Sequence, residues 1–516
     1  MSAQASSDRP QFIHGILDQW VRLQPAATAL ITEDDEIVSW STLAGAVDEA
    51  EQRLCEVGVR AGDRLVIVLE NSLAAISFLL ACSRRGAWAV PVNARLSARE
   101  IDQICAHCDP RAIVFAADSS PNAAAHAHRF SARSISERTF RQVYVSGELP
   151  ATAEPPECDH ASEIAVLIYT SGTTGQPKGV MLTHGNVMFV AHVVGSLREL
   201  CPDDLVYGAL PLSHVYGLTS VFLGPLLAGC SLQLVSRFDA AHLEKSLRAG
   251  LTVLLGVPRM YAKLLDHLER MGQTPSAPKL RLMSSGGAPI DLELKRRAEE
   301  RFGLPLHNGY GLTEASPTVA QTCSGIRHDD DCIGQAIPGI EVRIVDASAK
   351  IQPPGDVGEI WVRGPNVMKG YYRNRAASEA SVTSDGWLRT GDLGRQVEDG
   401  RLYIVGRLKE MIIRSGFKVY PAEIEAVLNS HPGVLQSAVV GRHRPGNEDI
   451  IAFVELAAGH DLSSDDLMRF ALDRLAPYKR PQQLVILKQL PTTSSGKIRK
   501  SCLLALAGAV PSAEHD

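Results

Sequence analysis

The feature that most constrains the fold is the alternation of short apolar runs with helical segments through the first 325 residues. Residues 65–69 form an unbroken apolar run that predicts a buried strand, and residues 72–84 have the pattern of a helix that follows it. The same alternation resumes at 89–92 and 112–115, and a second block extends from 164 to about 325. Strands separated by helices favour parallel, doubly wound sheets. We therefore expect an α/β protein with two doubly wound subdomains in its N-terminal part.

The pattern changes between residues 340 and 405. Residues 340–345 and 359–363 alternate apolar with polar side chains, and Pro-Gly and Asp-Gly pairs between and after them are turn signals. This predicts a distorted antiparallel β-barrel beside the two α/β subdomains. Residues 119–156 are rich in Ala, Ser, His and Pro without a clear period, and we expect a surface excursion there.

The tail is organised differently again. Short strand patterns at 437–440 and 450–455 alternate with helical patterns at 421–430 and 465–475. This predicts a separate small α/β domain at the C-terminus. A chain of 516 residues is too long for one ordinary hydrophobic core, which agrees with more than one domain.

Composition excludes several function classes. The formal net charge of −6 gives no reason to expect non-specific nucleic-acid binding. The polar N-terminus lacks the pattern of a secretory signal, and ten scattered cysteines are no disulfide framework, so a cytoplasmic location is predicted. No charged residue occurs between Asp204 and Arg237, but prolines and glycines interrupt this stretch. It predicts buried strands and helices rather than a transmembrane segment.

The strongest local motif is Tyr169-Thr-Ser-Gly-Thr-Thr-Gly-Gln-Pro-Lys-Gly179, which directly follows an apolar run. Its glycines allow backbone N–H groups to converge on an anion, and its hydroxyls and lysine add donors and charge. The motif predicts a polyphosphate-binding loop, although it is not a Walker A loop. The candidate residues are Thr170, Ser171, Gly172, Thr173, Thr174, Gly175 and Lys178.

This loop resembles the signature of the adenylate-forming superfamily, which includes acyl- and aryl-CoA ligases, luciferases and peptide-synthetase adenylation domains. Further family motifs follow in order along nearly the whole chain, from about residue 12 to 504. The resemblance implies an AMP-forming acid–CoA ligase that uses ATP, coenzyme A and Mg²⁺. Its partners would be small molecules, without nucleic acid, and it would be a monomer or homodimer. Transfer of the acyl group to a carrier-protein thiol is the alternative.

The resemblance also implies roles for the segment Asn308-Gly-Tyr-Gly-Leu-Thr-Glu314 and for two later residues. Tyr310 would stack on adenine, Thr313 would contact the α-phosphate, and Glu314 would hold Mg²⁺ together with Thr174. Asp392 would bind ribose, and Arg407 would contact ribose and phosphate. The other nucleotide candidates are Gly287, Ala288, Pro289, Asn308, Gly309 and Gly311.

Near the C-terminus, Lys497 matches the family lysine that bridges the attacking carboxylate and the α-phosphate. Lys409 matches the hinge about which a mobile small domain turns. The implied division is a large domain at 1–406, a hinge at 407–409 and a small domain at 410–516. The loop around Gly416 resembles the tunnel for the pantetheine arm. The other coenzyme A candidates are Phe417, Lys418, Arg442 and Lys479.

The acyl site is implied by the segment Leu212-Ser-His-Val-Tyr-Gly-Leu218. By resemblance, His214 is a gate that takes part in catalysis. The malonate ligases place Arg immediately before the stacking tyrosine, whereas Gly309 stands there in this chain, so a dicarboxylate is disfavoured. An aromatic or medium-chain apolar monocarboxylate remains. The predicted pocket residues are His214, Val215, Tyr216, Gly217, Gly286, Gly309, Gly311 and Leu312.

Overall fold

The computed structural model describes residues 10–118, 120–135, 139–157, 159–171, 177–272, 276–414, 417–444, 447–457, 459–492 and 498–509. Its elements up to residue 256 are, in chain order, α1 (Gly15–Leu23), β1 (Thr28–Ile31), β2 (Ile37–Ser39), α2 (Trp40–Glu56), β3 (Arg64–Leu69), α3 (Leu73–Arg84), β4 (Trp88–Asn93), α4 (Ala98–Cys108), β5 (Ala112–Ala116), α5 (Pro121–Arg129), β6 (Arg133–Ser134), β7 (Val143–Val145), β8 (Ile164–Ser171), β9 (Pro177–Thr183), α6 (His184–Leu197), β10 (Leu205–Gly208), a π-helical stretch (Tyr216–Leu223), α7 (Gly224–Leu227), β11 (Ser231–Leu234), α8 (Ala240–Ala249) and β12 (Val253–Gly256).

The remaining elements run to the C-terminus. They are α9 (Pro258–Arg270), β13 (Leu282–Ser285), α10 (Leu292–Phe302), β14 (Leu306–Gly311), β15 (Thr318–Gln321), β16 (Gln335–Ala336), β17 (Glu341–Val345), β18 (Gly358–Arg363), β19 (Gly370–Tyr371), α11 (Arg375–Ser381), β20 (Leu388–Gln396), β21 (Leu402–Arg407), β22 (Ile412–Arg414), β23 (Phe417–Val419), α12 (Pro421–Asn429), β24 (Val434–Arg444), β25 (Asn447–Leu456), α13 (Ser464–Leu472), β26 (Gln483–Leu487) and α14 (Lys500–Ala509).

Two large sheets with parallel centres form the N-terminal part. One has the strand order β19-β9-β8-β4-β3-β5-β7-β6, in which β3, β4, β5 and β8 are parallel. The other has the order β16-β15-β14-β13-β12-β10-β11-β1-β2, parallel from β14 to β1. The crossover helices between these strands cover buried, apolar strand faces. The predicted doubly wound α/β architecture is confirmed.

The local predictions for the first block are confirmed with one exception. The apolar runs at 65–69, 89–92 and 112–115 lie in β3, β4 and β5, and Ser72 caps α3 by accepting from the N–H of Ala75. The expectation of a surface excursion at 119–156 is wrong in part, because α5, β6 and β7 lie there. Ala123 and Ala127 are fully buried on α5, and such small side chains leave only a weak periodic signal.

The apolar stretch between Asp204 and Arg237 contains β10, the π-helical stretch, α7 and β11. Most of its side chains are buried within the second sheet and its covering helices. Among the described residues, no helix combines the length and apolar character that crossing a membrane requires.

The later part of the chain follows the predicted change of pattern. Strands β17, β18, β20 and β21 form an antiparallel sheet in that order. After the turn at residues 408–410, strands β24, β25 and β26 form another sheet, which α12, α13 and α14 cover. Its apolar residues pack in clusters of their own, centred on Val439, Ile450 and Phe453. A separate core of this kind supports the predicted small domain.

Candidate active site

A cavity of about 460 Å³, partly open to solvent, lies beyond the carboxyl ends of β13 and β14. In open α/β sheets, the loops at the carboxyl ends of the strands form the crevice that holds ligands. The cavity is lined by the predicted site residues His214, Val215, Tyr216, Gly286, Gly287, Gly309, Tyr310, Gly311, Leu312 and Thr313, together with Arg198, Ser284, Ser285, Pro317, Thr318 and Gln321, which were not predicted.

A buried asparagine from the first sheet holds the loop that carries His214. Asn71 follows β3 and is 3% exposed. Its Nδ2 donates to the carbonyls of Gly208 and Leu210 at 3.0 and 2.9 Å, and its Oδ1 accepts from the N–H of Leu212 at 2.9 Å. Asn71 therefore fixes one wall of the cavity. The sequence feature that could have indicated this role is an amide residue two positions after the apolar run at 65–69.

The first polar cluster joins Tyr310, Asp392 and Arg407. Tyr310 Oη donates to Asp392 Oδ2 at 2.6 Å, and Arg407 Nε lies 2.9 Å from Asp392 Oδ1. Asp392 and Arg407 are register partners in β20 and β21. Burial raises the pKa of Tyr310 well above its ordinary value, so its hydroxyl remains a donor. Each carboxylate oxygen accepts two hydrogen bonds, and Asp392 therefore retains acceptor positions for a ligand hydroxyl.

The second polar cluster contains Glu314, Tyr371 and Lys178. Tyr371 Oη donates to Glu314 Oε1 at 2.8 Å, and Lys178 Nζ lies 4.8 Å from the centroid of the Tyr371 ring. Strand β19, which carries Tyr371, pairs with β9, which carries Lys178. Tyr371 was missed by sequence reasoning because it lies 57 residues from Glu314. The cluster combines an oriented oxygen ligand of the kind that Mg²⁺ prefers with a cation suited to phosphate.

The predicted acyl-pocket residues separate into two groups. The Nδ1 of His214 accepts from the N–H of Tyr216 at 3.2 Å, and both residues line the cavity. A Cβ placed on Gly286 would lie 3.2 Å from Cζ of Tyr216, so glycine allows the ring to lie against the end of β13. Gly217 does not line the cavity. A Cβ there would lie 2.1 Å from the carbonyl oxygen of Pro211, and the structure therefore uses Gly217 for close backbone packing.

Some predicted nucleotide residues make structural contacts beside the cavity. Asn308 Nδ2 donates to the carbonyl of Cys332 at 3.3 Å, and its Oδ1 accepts from the N–H of Gly309, so the amide braces the strand end. Thr170 faces Lys178 in the hairpin of β8 and β9. Ala288 and Pro289 follow the cavity-lining Gly287 along the chain without lining the cavity themselves.

Several predicted residues lie outside the described part of the chain: Gly172, Thr173, Thr174, Gly175, Gly416, Lys497 and the side chain of Ser171. The residues flanking Lys497 are described. Thr492 forms a β-bridge with Ile498, and Arg259 Nη1 donates to Thr492 Oγ1 at 3.5 Å. Arg259 belongs to α9, which begins directly after Val257 beside Gly287. Thr492, the last described residue before Lys497, therefore contacts a helix that begins beside the cavity-lining Gly287.

The coenzyme A candidates lie on the small domain. Phe417 is exposed and stacks on Tyr478 with ring centroids 4.6 Å apart, and Lys418 is also exposed. Arg442 and Lys479 form ion pairs with Asp449 and Glu423 at 2.8 and 2.7 Å. A phosphate of coenzyme A would compete with these carboxylates for Arg442 and Lys479. The exposed Lys418 is therefore the stronger candidate for a phosphate contact.

Comparison with known proteins identifies the family to which the chain belongs. The model of the AMP-binding enzyme family matches residues 17–372, and the model of the AMP-binding enzyme C-terminal domain matches residues 423–497. Feruloyl-CoA synthase from an Amycolatopsis species is 36% identical over 486 residues, which cover 93% of this chain and 96% of that protein. Indoleacetate–CoA ligase from Aromatoleum aromaticum is 34% identical over 495 residues, covering 94% and 96%.

Solved structures show the same architecture. ATP-bound MatB from Rhodopseudomonas palustris has a TM-score of 0.85 at 30% identity, over 96% of this chain and 98% of that chain. The o-succinylbenzoate CoA synthetase of Bacillus subtilis, in complex with its acyl-adenylate intermediate, has a TM-score of 0.80 at 29% identity, over 95% and 97%.

The chain belongs to the AMP-binding enzyme family of adenylate-forming proteins. Within that family it is an AMP-forming acid–CoA ligase. Such an enzyme converts ATP and a carboxylate to an acyl-adenylate and pyrophosphate, and the thiol of coenzyme A then displaces AMP.

Proposed function

We propose that this ligase activates an aromatic carboxylic acid in the cavity between the ends of β13 and β14. The observation that carries the proposal is the shape of the cavity wall. Gly286 and Gly309 have no side chains, which leaves a flat space between the ends of β13 and β14, and the ring of Tyr216 lies against Gly286. A flat ring fills such a slot with large apolar contact area and little loss of conformational entropy. The named relatives act on ferulate, indoleacetate and 2-succinylbenzoate, which supports an aromatic acid.

The medium-chain alternative is tested directly by substrate profile. We would measure pyrophosphate release with aryl acids and alkyl acids of matched length, with and without coenzyme A. We expect the aryl acids to have the higher kcat/KM. A clear preference for alkyl acids would contradict the proposal. Product formation with a carrier protein in place of coenzyme A would support the alternative acceptor.

In the proposed first step, the substrate carboxylate attacks the α-phosphorus of ATP in line with departing pyrophosphate. Tyr310 stacks on adenine, Asp392 binds the ribose hydroxyls, and Thr313 donates to the α-phosphate. Glu314, oriented by Tyr371, would hold Mg²⁺ through a carboxylate oxygen, and the ion would neutralise phosphate charge when bound. Because no protein nucleophile is needed, positioning and electrostatics supply the catalysis.

Lys497 is proposed to bring positive charge to the point where the two anions meet. Removal of a charge aimed at a transition state costs a few kcal/mol, or about 10²–10³ in rate. We expect Lys497→Ala to slow acyl-adenylate formation by that factor while thioester formation from preformed acyl-adenylate is largely retained. Normal adenylation by the variant would refute the role.

The second step is proposed to follow rotation of the small domain, residues 410–516, about Lys409. Lys409 lies in the exposed turn between β21 and β22, and Lys500 of α14 reaches Glu410 in the same turn at 2.7 Å. Lys418 and the loop around Gly416 would then receive coenzyme A. We place the enzyme in the cytoplasm as a monomer or homodimer, and the free thiols among its described cysteines fit a reducing compartment.

A further inference from the structure

The deep end of the cavity contains a buried cation that the proposed reaction does not use. Arg198 follows α6 directly, is 5% exposed and is one of the residues that line the cavity. Arg198, Ser284 and Gln321 also line a second cavity of about 210 Å³, which continues away from the first. Arg198 therefore lies between the two cavities.

Arg198 lies with Ser284 and Leu282 around the second cavity, behind the strand ends that carry the proposed nucleotide contacts. The nucleotide contacts lie at Gly287 and beyond the end of β14, whereas Ser284 and Leu282 lie further back along β13. Each residue of a strand spans about 3.3 Å, so Ser284 lies roughly 10 Å from Gly287 along the chain. An acid whose carboxylate faces the nucleotide would direct its other end towards Arg198.

The contacts of Arg198 leave most of its donors unused. Within the described part of the chain, its guanidinium makes one hydrogen bond, from Nη1 to the carbonyl oxygen of Ser220 at 3.0 Å, and no carboxylate is paired with it. A guanidinium has five N–H donors. Buried arginines are normally paired, because an unpaired buried charge is costly. Burial lowers the pKa of the Arg198 guanidinium, and the ionisable groups that interact with it electrostatically are Tyr216 and Tyr261.

The surroundings add further polar atoms. Tyr216 and Ser284, which both carry a hydroxyl group, line the cavity together with Arg198. Gln321 lines both cavities, and the hydroxyl of Ser285 is buried without a hydrogen-bond partner in the residues that the structure describes. A purely apolar substrate end would leave these groups unsatisfied.

We infer that Arg198 is a specificity-determining residue that donates hydrogen bonds to an oxygen substituent on the distal end of the aromatic acid. The substituent is either an ionised carboxylate or a neutral hydroxyl, which share the ability to accept from a guanidinium. The inference rests on the proposed function, because it concerns the far end of an aromatic substrate.

The test compares three acids with one aromatic skeleton: 4-carboxycinnamate, 4-hydroxycinnamate and 4-methylcinnamate. With the unmodified enzyme, we expect kcat/KM for pyrophosphate release to be about 10- to 100-fold higher for the better oxygenated acid than for the methyl analogue. The carboxylate and hydroxyl arms identify which oxygen group is recognised. If the methyl analogue reacts as well as both, the inference is overturned without any variant.

Arg198→Met and Arg198→Lys complete the test. Arg198→Met should lose the 10- to 100-fold preference while its kcat/KM for the methyl analogue and its affinity for AMP stay within about threefold. Arg198→Lys should retain part of the preference, since the cation remains. Arg296→Met, which removes an exposed cation from α10, is the matched control and should keep the whole preference.

The outcomes distinguish the two proposals. An equal loss for all three acids in Arg198→Met would show a structural role and overturn the inference, with the proposed function intact. If alkyl acids react and no aryl acid does, both proposals fall. If Arg198→Met does not fold, the substrate series with the unmodified enzyme and Arg198→Lys still decides.

Discussion

Replacement of Asp392 is the sharpest test of the nucleotide site. The carboxylate is 3% exposed, and its two oxygens already hold the Tyr310 hydroxyl at 2.6 Å and Arg407 at 2.9 Å. Each oxygen retains one acceptor position, so two ribose hydroxyls can bind at once. Hydrogen bonds to a charged group contribute about 1.5–3 kcal/mol each. Loss of two such bonds costs at least about 3 kcal/mol, or roughly 150-fold in the Kd for AMP.

Asp392→Ala should therefore weaken AMP binding by about two orders of magnitude in isothermal titration calorimetry. It also leaves the partly buried Tyr310 hydroxyl without its acceptor, which should lower the free energy of unfolding by about 1–3 kcal/mol. Asp392→Asn keeps an acceptor oxygen and loses the ion pair with the exposed Arg407, which is worth about 0.2–1 kcal/mol. Its AMP affinity should fall less than that of the alanine variant.

Tyr310→Phe is the matched control, because it removes the hydrogen bond between Tyr310 and Asp392 but keeps the Asp392 carboxylate. The ring that we propose to stack on adenine is kept, and Asp392 still pairs with Arg407. We expect AMP affinity to change by less than about threefold, while stability falls as in Asp392→Ala. The reasoning is refuted if Asp392→Ala binds AMP as well as the unmodified protein, or if Tyr310→Phe weakens binding as strongly as Asp392→Ala.

Three further predictions test the hinge, the metal ligand and the buried imidazole. Lys409→Pro restricts rotation at the turn, so thioester formation should slow at least 10-fold more than adenylation in single-turnover assays; equal loss would exclude the hinge. Tyr371→Phe frees the Glu314 carboxylate, so the Mg²⁺ concentration for half-maximal pyrophosphate release should rise about 10-fold; an unchanged Mg²⁺ dependence would count against this site. Burial lowers the pKa of His184 to about 3. Below about pH 6.5 the unfolded chain therefore binds a proton that the folded chain does not, and the free energy of unfolding decreases as the pH is lowered from about 6.5 to 3. His184→Asn should reduce that slope by about 1.4 kcal/mol per pH unit in urea unfolding, and identical slopes would show that His184 does not contribute.

The sequence by itself determined the architecture and the order of the chemical motifs. Unbroken apolar runs such as 65–69 predict buried parallel strands, because both faces of those strands are covered. The composition of residues 169–179 indicated a phosphate-binding loop, and the resemblance of residues 308–314 to a family motif implied the rest of the nucleotide site. These signals are contained in short segments, which is why they could be recognised without coordinates.

The tertiary structure alone decided which distant side chains complete the site. Asn71 holds a loop more than 130 residues away, and Tyr371 orients a carboxylate from another strand. Arg198 has the sequence pattern of an ordinary surface arginine behind a helix, yet it is buried and lines the cavity. Gly217 stands in an acyl-site motif and packs against backbone instead. Burial and hydrogen-bond satisfaction depend on what all neighbouring elements bring to one point, and no local pattern contains that information.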